Sequence, residues 1–321
     1  MVSTNESSLE LLLPNSQAIP LAIWATVVTI LGLLGNAIVI FSSIRYNAIE
    51  MDKVSLLLVQ NLAVADLLNI LSNILPSVVI YIAGRYVLGK IYCFISAQTS
   101  FIYGQVNILT VLAITAYRLH LLRHPLSTVS RCTGKIGLVV IWVIASSTTI
   151  TCFAYKSDSV FSQKSAKCLS TIYINKDASL HIRVQTGIII IVPLISIVII
   201  NILLFIISFK SSKKYKTSTE RNSARALLTV CALSSVFIVS WIPYLIYLMW
   251  KGVNPDLPVA VDQTALSCIM VNSFCNPVLY TMTNRRFGNY VWSMIRSLTP
   301  GIGSDSITAT DSSRKTTNSE I

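Results

Sequence analysis

The chain has 321 residues, of which 53% are hydrophobic and only 12% charged, against about 25% charged in a soluble globular protein. With a mean hydropathy of +0.67 it lacks the polar surface that a soluble protein needs, and it is too apolar for disorder over most of its length. Seven cysteines are too few for a disulfide scaffold. The net charge of +12 marks cytoplasmic loops in a membrane chain rather than nucleic-acid binding.

A helix needs about 20 apolar residues to cross a bilayer. Residues 1–19 hold acids but no Lys or Arg, so no signal peptide with a basic start is expected. They read as an extracellular segment in which Asn5-Glu6-Ser7 is a glycosylation acceptor. The bundle then occupies 20–283. Uncharged runs at 20–44, 91–117, 136–155, 184–209, 226–250 and 263–283, with a run at 54–82 whose one charge is Asp66, predict seven spans. Leu-rich runs with internal Pro and Gly fit helices rather than barrel strands. With the N-terminus outside, 17 of the 25 Lys and Arg fall on the inner side, which sets the orientation. Over 284–298, Phe287, Val291, Met294 and Leu298 recur at helical spacing beside Arg285, Arg286 and Arg296. This predicts a short amphipathic eighth helix on the inner membrane lipid. Residues 299–321 read as a disordered cytoplasmic tail rich in Ser and Thr. Phosphorylation would make it an arrestin signal, and Ser319-Glu320-Ile321 fits a PDZ ligand. The expected fold is an all-α integral membrane protein: a seven-transmembrane helix bundle with its N-terminus outside and helix 8 inside.

A carboxylate inside a span costs a few kcal/mol, so Asp66 must face the bundle interior. Two readings follow: an acid satisfied by its helix neighbours, or a cation or proton site. Asn36, Asn107, Asn272 and Asn276 also lie within spans. Asn272 and Asn276, four apart on one helix face, are both expected to point toward Asp66.

Further motifs lie in order along the chain. They are Gly35-Asn36, Asn61-Leu-Ala-Val-Ala-Asp66, Cys93, Arg118 with His124-Pro125-Leu126, Trp142 and Pro193, then Phe237 with Ser240-Trp241-Ile242-Pro243, and Asn276-Pro277-Val278-Leu279-Tyr280. Over residues 20–296 the chain resembles the rhodopsin-like (class A) G-protein-coupled receptors. The resemblance implies a multi-pass plasma-membrane receptor, not an enzyme, that takes an extracellular small-molecule or peptide ligand between its helices and activates a heterotrimeric G protein. It assigns activation to Arg118, Trp241, Pro243, Asn276, Pro277 and Tyr280. It pairs Cys93 with Cys168, leaving Cys132, Cys152, Cys231, Cys268 and Cys275 free. It places the ligand pocket at Ser100, Phe101, Gly104, Gln105, Gln185, Trp241, Tyr244, Leu245, Gln263 and Leu266. No cofactor is implied beyond a sodium ion at Asp66, Asn107, Asn272 and Asn276.

Several positions depart from the family pattern. Tyr117 precedes Arg118 where the family usually carries an acid, and Ser223 offers no second acid. Asn201 replaces a Tyr, Tyr86 replaces a Trp, and Asn107 replaces a small hydroxyl beside the sodium pocket. Ser100 stands where amine receptors carry Asp, and Met270 where opsins carry the retinal-binding Lys, so biogenic amine and retinal are disfavoured. Lys156, Lys164, Lys167 and Lys176 give the second outer loop a basic bias, compatible with an acidic ligand or with a solvated loop. The alternatives are a seven-span transporter or channel using Asp66, and a membrane enzyme holding a metal at His120 and His124. The first would need ionisable residues in several spans, and the second lacks the Glu of HExxH.

Overall fold

The computed structural model describes residues 10–11, 13–45, 53–124, 129–156, 158–171, 176–212, 231–232, 234–247, 250, 257–283 and 285–298. Of these, backbone alone is described at 45, 176–183, 185–186, 208–212, 279–283, 285–287, 294–295 and 297–298. Helix α1 (Asn15–Arg45) is followed by α2 (Lys53–Asn69), a π-helical turn (Ile70–Ile74) and α3 (Leu75–Ala83), the last three forming one span. Helices α4 (Gly89–Arg123) and α5 (Arg131–Ala154) come next, then an antiparallel hairpin of β1 (Ser159–Ser162) and β2 (Lys167–Ser170). The chain continues through α6 (Lys176–Ser212), α7 (Ser234–Tyr247), α8 (Val259–Met270), α9 (Asn272–Thr283) and α10 (Arg285–Leu298). Among the described residues five helical spans are long and apolar enough to cross a membrane, and α7 adds a shorter apolar segment.

The outer surface is that of a lipid-facing bundle. Ile23, Val143 and Ile150 are 61%, 62% and 63% exposed, a costly arrangement in water and an indifferent one in hydrocarbon. The polar residues instead lie inside: Asn36, Asp66, Gln105, Asn107, Asn272 and Asn276 are all buried.

Two prolines shape the interior in the same manner. Each lacks an N–H, so each frees the carbonyl four residues before it. Pro277 frees Ser273, and the Asn36 amide donates to that oxygen at 2.7 Å from α1. Pro76 frees Ser72, and the Tyr92 hydroxyl donates to that oxygen from α4. Just ahead of Pro76 the helix takes its π turn, closed by the Leu75 N–H on the Ile70 carbonyl. Both orphaned acceptors thus become ties between helices.

Close approach demands glycine at Gly35. A Cβ there would lie 2.9 Å from the Pro277 Cβ, inside van der Waals contact. Gly35→Val is expected to force α1 from α9 and cost about 1–3 kcal/mol, read as a lower thermal midpoint of the purified protein. Gly35→Ala should show a smaller fall in the same assay.

Capping fixes several ends. Ser130 Oγ accepts the Thr133 N–H at 3.1 Å and starts α5. Gly84, at a left-handed φ of 65°, stops α3, and its carbonyl takes the Leu11 N–H at 3.0 Å. That bond fastens the segment before α1 to the outer end of the bundle, where Leu13 is buried. At the opposite end Val291 of α10 is buried against Val39 of α1 and Val59 and Ala63 of α2. Trp292, the next residue of α10, is exposed.

Candidate functional site

Asp66 is fully buried at the centre of the bundle. Asn107 Nδ2 of α4 donates to its Oδ1 at 2.8 Å, and Asn276 Nδ2 of α9 donates to its Oδ2 at 2.9 Å. Ser273 faces the same carboxylate and also accepts from Asn69 Nδ2 at 3.4 Å. Asn272 departs from expectation. The helix is interrupted at Val271 between α8 and α9, and Asn272 Oδ1 accepts from Ser240 of α7 at 2.7 Å. Its Nδ2 is buried without a partner. The helix-face argument that aimed both asparagines at Asp66 therefore holds only for Asn276.

A second chain of bonds lies closer to the inner end. Trp142 Nε1 of α5 donates to Asn61 Oδ1 at 2.9 Å, and Asn61 Nδ2 donates to Thr110 Oγ1 of α4 at 2.8 Å. These two networks explain why such polar residues sit in apolar spans. Lipid offers no partner, so these polar side chains turn inward and bond to one another.

Toward the outer end, Trp241 is buried between Phe237 and Tyr244, with ring centroids 6.0 and 5.9 Å away. A Cβ on Gly104 would meet the Trp241 ring at 3.5 Å, so Gly104, Trp241 and Tyr244 are brought together. Phe101 of α4, Pro243 and Leu245 of α7, and Leu266 of α8 are half-buried. Ser100 is drawn toward Asn73 of the π turn, at 2.8 Å. Gln105 turns the other way: its Nε2 donates to Thr148 of α5 at 3.1 Å. The side chains of Gln185 and Tyr280 lie outside the described residues, as do Asn5, Pro125, Ser223 and the tail.

The hairpin closes over this region. Cys168 of β2 is bonded to Cys93 in the first turns of α4, while Cys132, Cys152, Cys231, Cys268 and Cys275 are free. Gln263 accepts from Tyr81 of α3 at 2.7 Å and donates to the Lys164 carbonyl at 2.8 Å. Ser165 donates to Asp262 at 3.0 Å, and Phe161 stacks on Tyr86 at 4.8 Å. The loop is thereby clamped to α4, to α8 and to Tyr86 between α3 and α4.

Asp262, Asn73, Ser273 and Tyr81 are absent from the expected site. Asp262 was placed outside the run 263–283, yet α8 starts at Val259 and buries it. Asn73 carried a signal, being an amide within an apolar span.

At the inner end Tyr117 and Arg118 are half-buried on α4. Asn201 Oδ1 of α6 accepts from Ser234 of α7 at 3.0 Å, and its Nδ2 is buried without a partner. His120 and His124 have ring centroids 5.2 Å apart, and no cluster of three metal-ligating side chains occurs among the described residues.

Comparison with known proteins agrees with this arrangement. The family model for the 7 transmembrane receptor (rhodopsin family) matches residues 35–280. The allatostatin-A receptor of Bombyx mori is 26% identical over 80% of this chain and 74% of its own. The platelet-activating factor receptor of Cavia porcellus is 25% identical over 83% and 82%, and the type-1 angiotensin II receptor B of Rattus norvegicus 25% over 86% and 80%. Squid rhodopsin shares the fold, with a TM-score of 0.71 at 15% identity, covering 95% of this chain and 93% of its own. The chain belongs to the rhodopsin family of seven-transmembrane receptors.

Proposed function

We propose that this receptor resides in the plasma membrane, binds an extracellular ligand between the outer ends of its helices, and activates a heterotrimeric G protein. The observation that carries this reading is the buried path from pocket to core. Trp241 packs on Gly104 in the outer half, Ser240 beside it bonds Asn272, and the same helix, α9, reaches Asp66 through Asn276. A ligand that shifts Trp241 disturbs α7 and α9 together, with Pro243 and Pro277 as pivots. Arg118 is the residue assigned to meet the G protein, and Tyr280 the residue assigned to support the active state. The relatives named for allatostatin A, angiotensin II and platelet-activating factor favour a peptide or lipid ligand over an amine.

The test is nucleotide exchange on purified heterotrimeric G proteins, with the full chain in lipid nanodiscs. Exchange above background that Arg118→Ala abolishes supports the reading. Absence of exchange on every G-protein class, even with extracts that activate control receptors, overturns it. Phosphorylation of the Ser/Thr-rich tail is assigned to arrestin recruitment, Ser319-Glu320-Ile321 to a PDZ partner, and Asn5 to glycosylation.

The sodium ion implied by the family is not well served here. Both Asp66 oxygens already accept amide N–H groups, and Asn272 is engaged by Ser240. Asn107 Oδ1 is buried without a partner, but it is on the arm of the amide opposite the nitrogen that faces the carboxylate. Asn107 substitutes for the cation with its own N–H. The thermal midpoint is expected to change by less than about 1 °C when sodium replaces N-methyl-D-glucamine at constant ionic strength. A larger rise that Asp66→Asn removes would show that the ion binds after all.

A further inference from the structure

His120 and His124 close α4 at its inner end. His124 is the first residue past the helix, at φ −130° and ψ 71°, and its N–H still donates to the His120 carbonyl at 2.9 Å. One helical turn therefore separates the two side chains. Their ring centroids stand 5.2 Å apart, with the planes tilted by 41°. His120 is half-buried and His124 exposed, so water reaches the pair.

Two imidazoles one turn apart are the pair with which a helix grips zinc in the HExxH motif. Bond lengths test the fit. A zinc ion about 2.1 Å from one nitrogen of each ring, at a tetrahedral angle, sets the ring centres about 5.2 Å apart. The backbone thus holds the rings at chelating distance, and rotation about each Cβ–Cγ bond is all that is needed to aim the nitrogens. Charge placement agrees, because the carbonyl end of a helix favours a cation. At about 100° per residue, Arg118 is about 160° round α4 from His120, and Arg123 is about 60° away on the side opposite His124. The exposed Arg123 extends its charge into water. Leu121 stands where the motif has its catalytic Glu, so the pair can bind a metal without hydrolytic chemistry. No Cys, Asp or Glu among the described residues joins it as a third ligand. A structural zinc takes four protein ligands, whereas two leave positions for water and an ion that exchanges.

We propose that His120 and His124 form a two-histidine site for a divalent transition metal ion, with zinc as its type, that clamps the last turn of α4 to the chain beyond it. The ion adds a side-chain tie to the single backbone bond between these two residues. The site stands apart from the receptor reading, since it needs neither a ligand in the outer pocket nor a G protein.

The experiment uses the full chain without an oligohistidine tag, stripped of metal, in neutral-lipid nanodiscs. Zinc chloride is the probe, and magnesium chloride, whose ion prefers oxygen ligands, is the control at equal ionic strength. Modification by diethyl pyrocarbonate is followed site by site by mass spectrometry, with His181, the third histidine of the chain, as the internal reference. Zinc is expected to protect His120 and His124 at one common concentration, and about ten times that concentration slows the modification of both about tenfold. Magnesium should protect neither. Loss of even an outer-shell partner weakens a metal site about 10–100-fold, so protection of His120 in His124→Ala, and of His124 in His120→Ala, should need at least that much more zinc. His124→Cys exchanges one zinc ligand for another and should keep His120 protected. Protection of one histidine alone, none up to about 1 mM zinc, equal protection by magnesium, or protection of His120 unchanged in His124→Ala overturns the proposal. The wild-type result decides even where a variant fails to fold.

Discussion

Replacing Cys93 or Cys168 with serine is expected to destabilise the receptor by about 4 kcal/mol and to lower its density at the cell surface. The bridge closes a loop across a sequence separation of 75 residues, and the unfolded chain regains that lost entropy once the bridge is cut. In the folded state the hairpin keeps its clamps on α8, through Ser165 to Asp262 and Gln263 to the Lys164 carbonyl. Cutting the bridge therefore lowers stability without freeing the whole loop. Each single variant already breaks the link, so the double variant should be no worse than either one. Thermal midpoint and surface labelling check both points. An unchanged midpoint in all three variants would falsify the assignment of stability to this bridge.

The second large effect concerns ligand-independent signalling. A resting receptor of this family holds its inner arginine with a neighbouring acid through a charge-assisted hydrogen bond. Here Tyr117 stands at that position on α4, beside Arg118, and a phenol is neutral near pH 7. Losing a charged hydrogen bond of about 1.5–3 kcal/mol moves a two-state equilibrium about ten- to a hundredfold toward the active form. Asn201 works against that shift, since it replaces the tyrosine that supports the active state and is instead engaged with Ser234. The lost lock dominates, because it removes a charge where Asn201 removes only a neutral group. Tyr117→Asp is expected to cut basal second-messenger output per surface receptor by about tenfold or more, and Arg118→Ala to bring it to background. Identical output from wild type and both variants would sink the argument.

The five helices long and apolar enough to cross a membrane among the described residues were legible in the sequence because hydrocarbon tolerates few charges, so uncharged runs mark them directly. Their ends were not. Helix α1 begins at Asn15 rather than 20 and α5 at Arg131 rather than 136, since caps such as Ser130 extend helices into the interface, where water permits charge. The centre of the site was legible for a related reason. A lone acid in a span must find partners, and Asp66 finds Asn107 and Asn276. Contacts between distant segments were not legible. Nothing local links Lys164 to Gln263 or Ser165 to Asp262, and nothing in the spacing of Asn272 and Asn276 reveals the interruption at Val271. Regular periodicity carries a residue's direction only as far as the helix stays regular.

The π turn at Ile70–Ile74 acts as a phase shifter. It holds one surplus residue, so the part of this span beyond it is offset by about 100° and 1.5 Å from the course an unbroken α-helix would follow. Deleting Leu71, whose side chain is 52% exposed, would let the span run as a single regular helix. The inner half would keep Asp66 on its partners, while the outer half would rotate Tyr81 off Gln263 and carry Asn73 away from Ser96 and Ser100. A deletion that mends the helix would thus dismantle the pocket wall. For the same reason, a relative without this surplus residue corresponds to this chain position by position up to Asn69, and from Leu75 outward only after one residue is skipped.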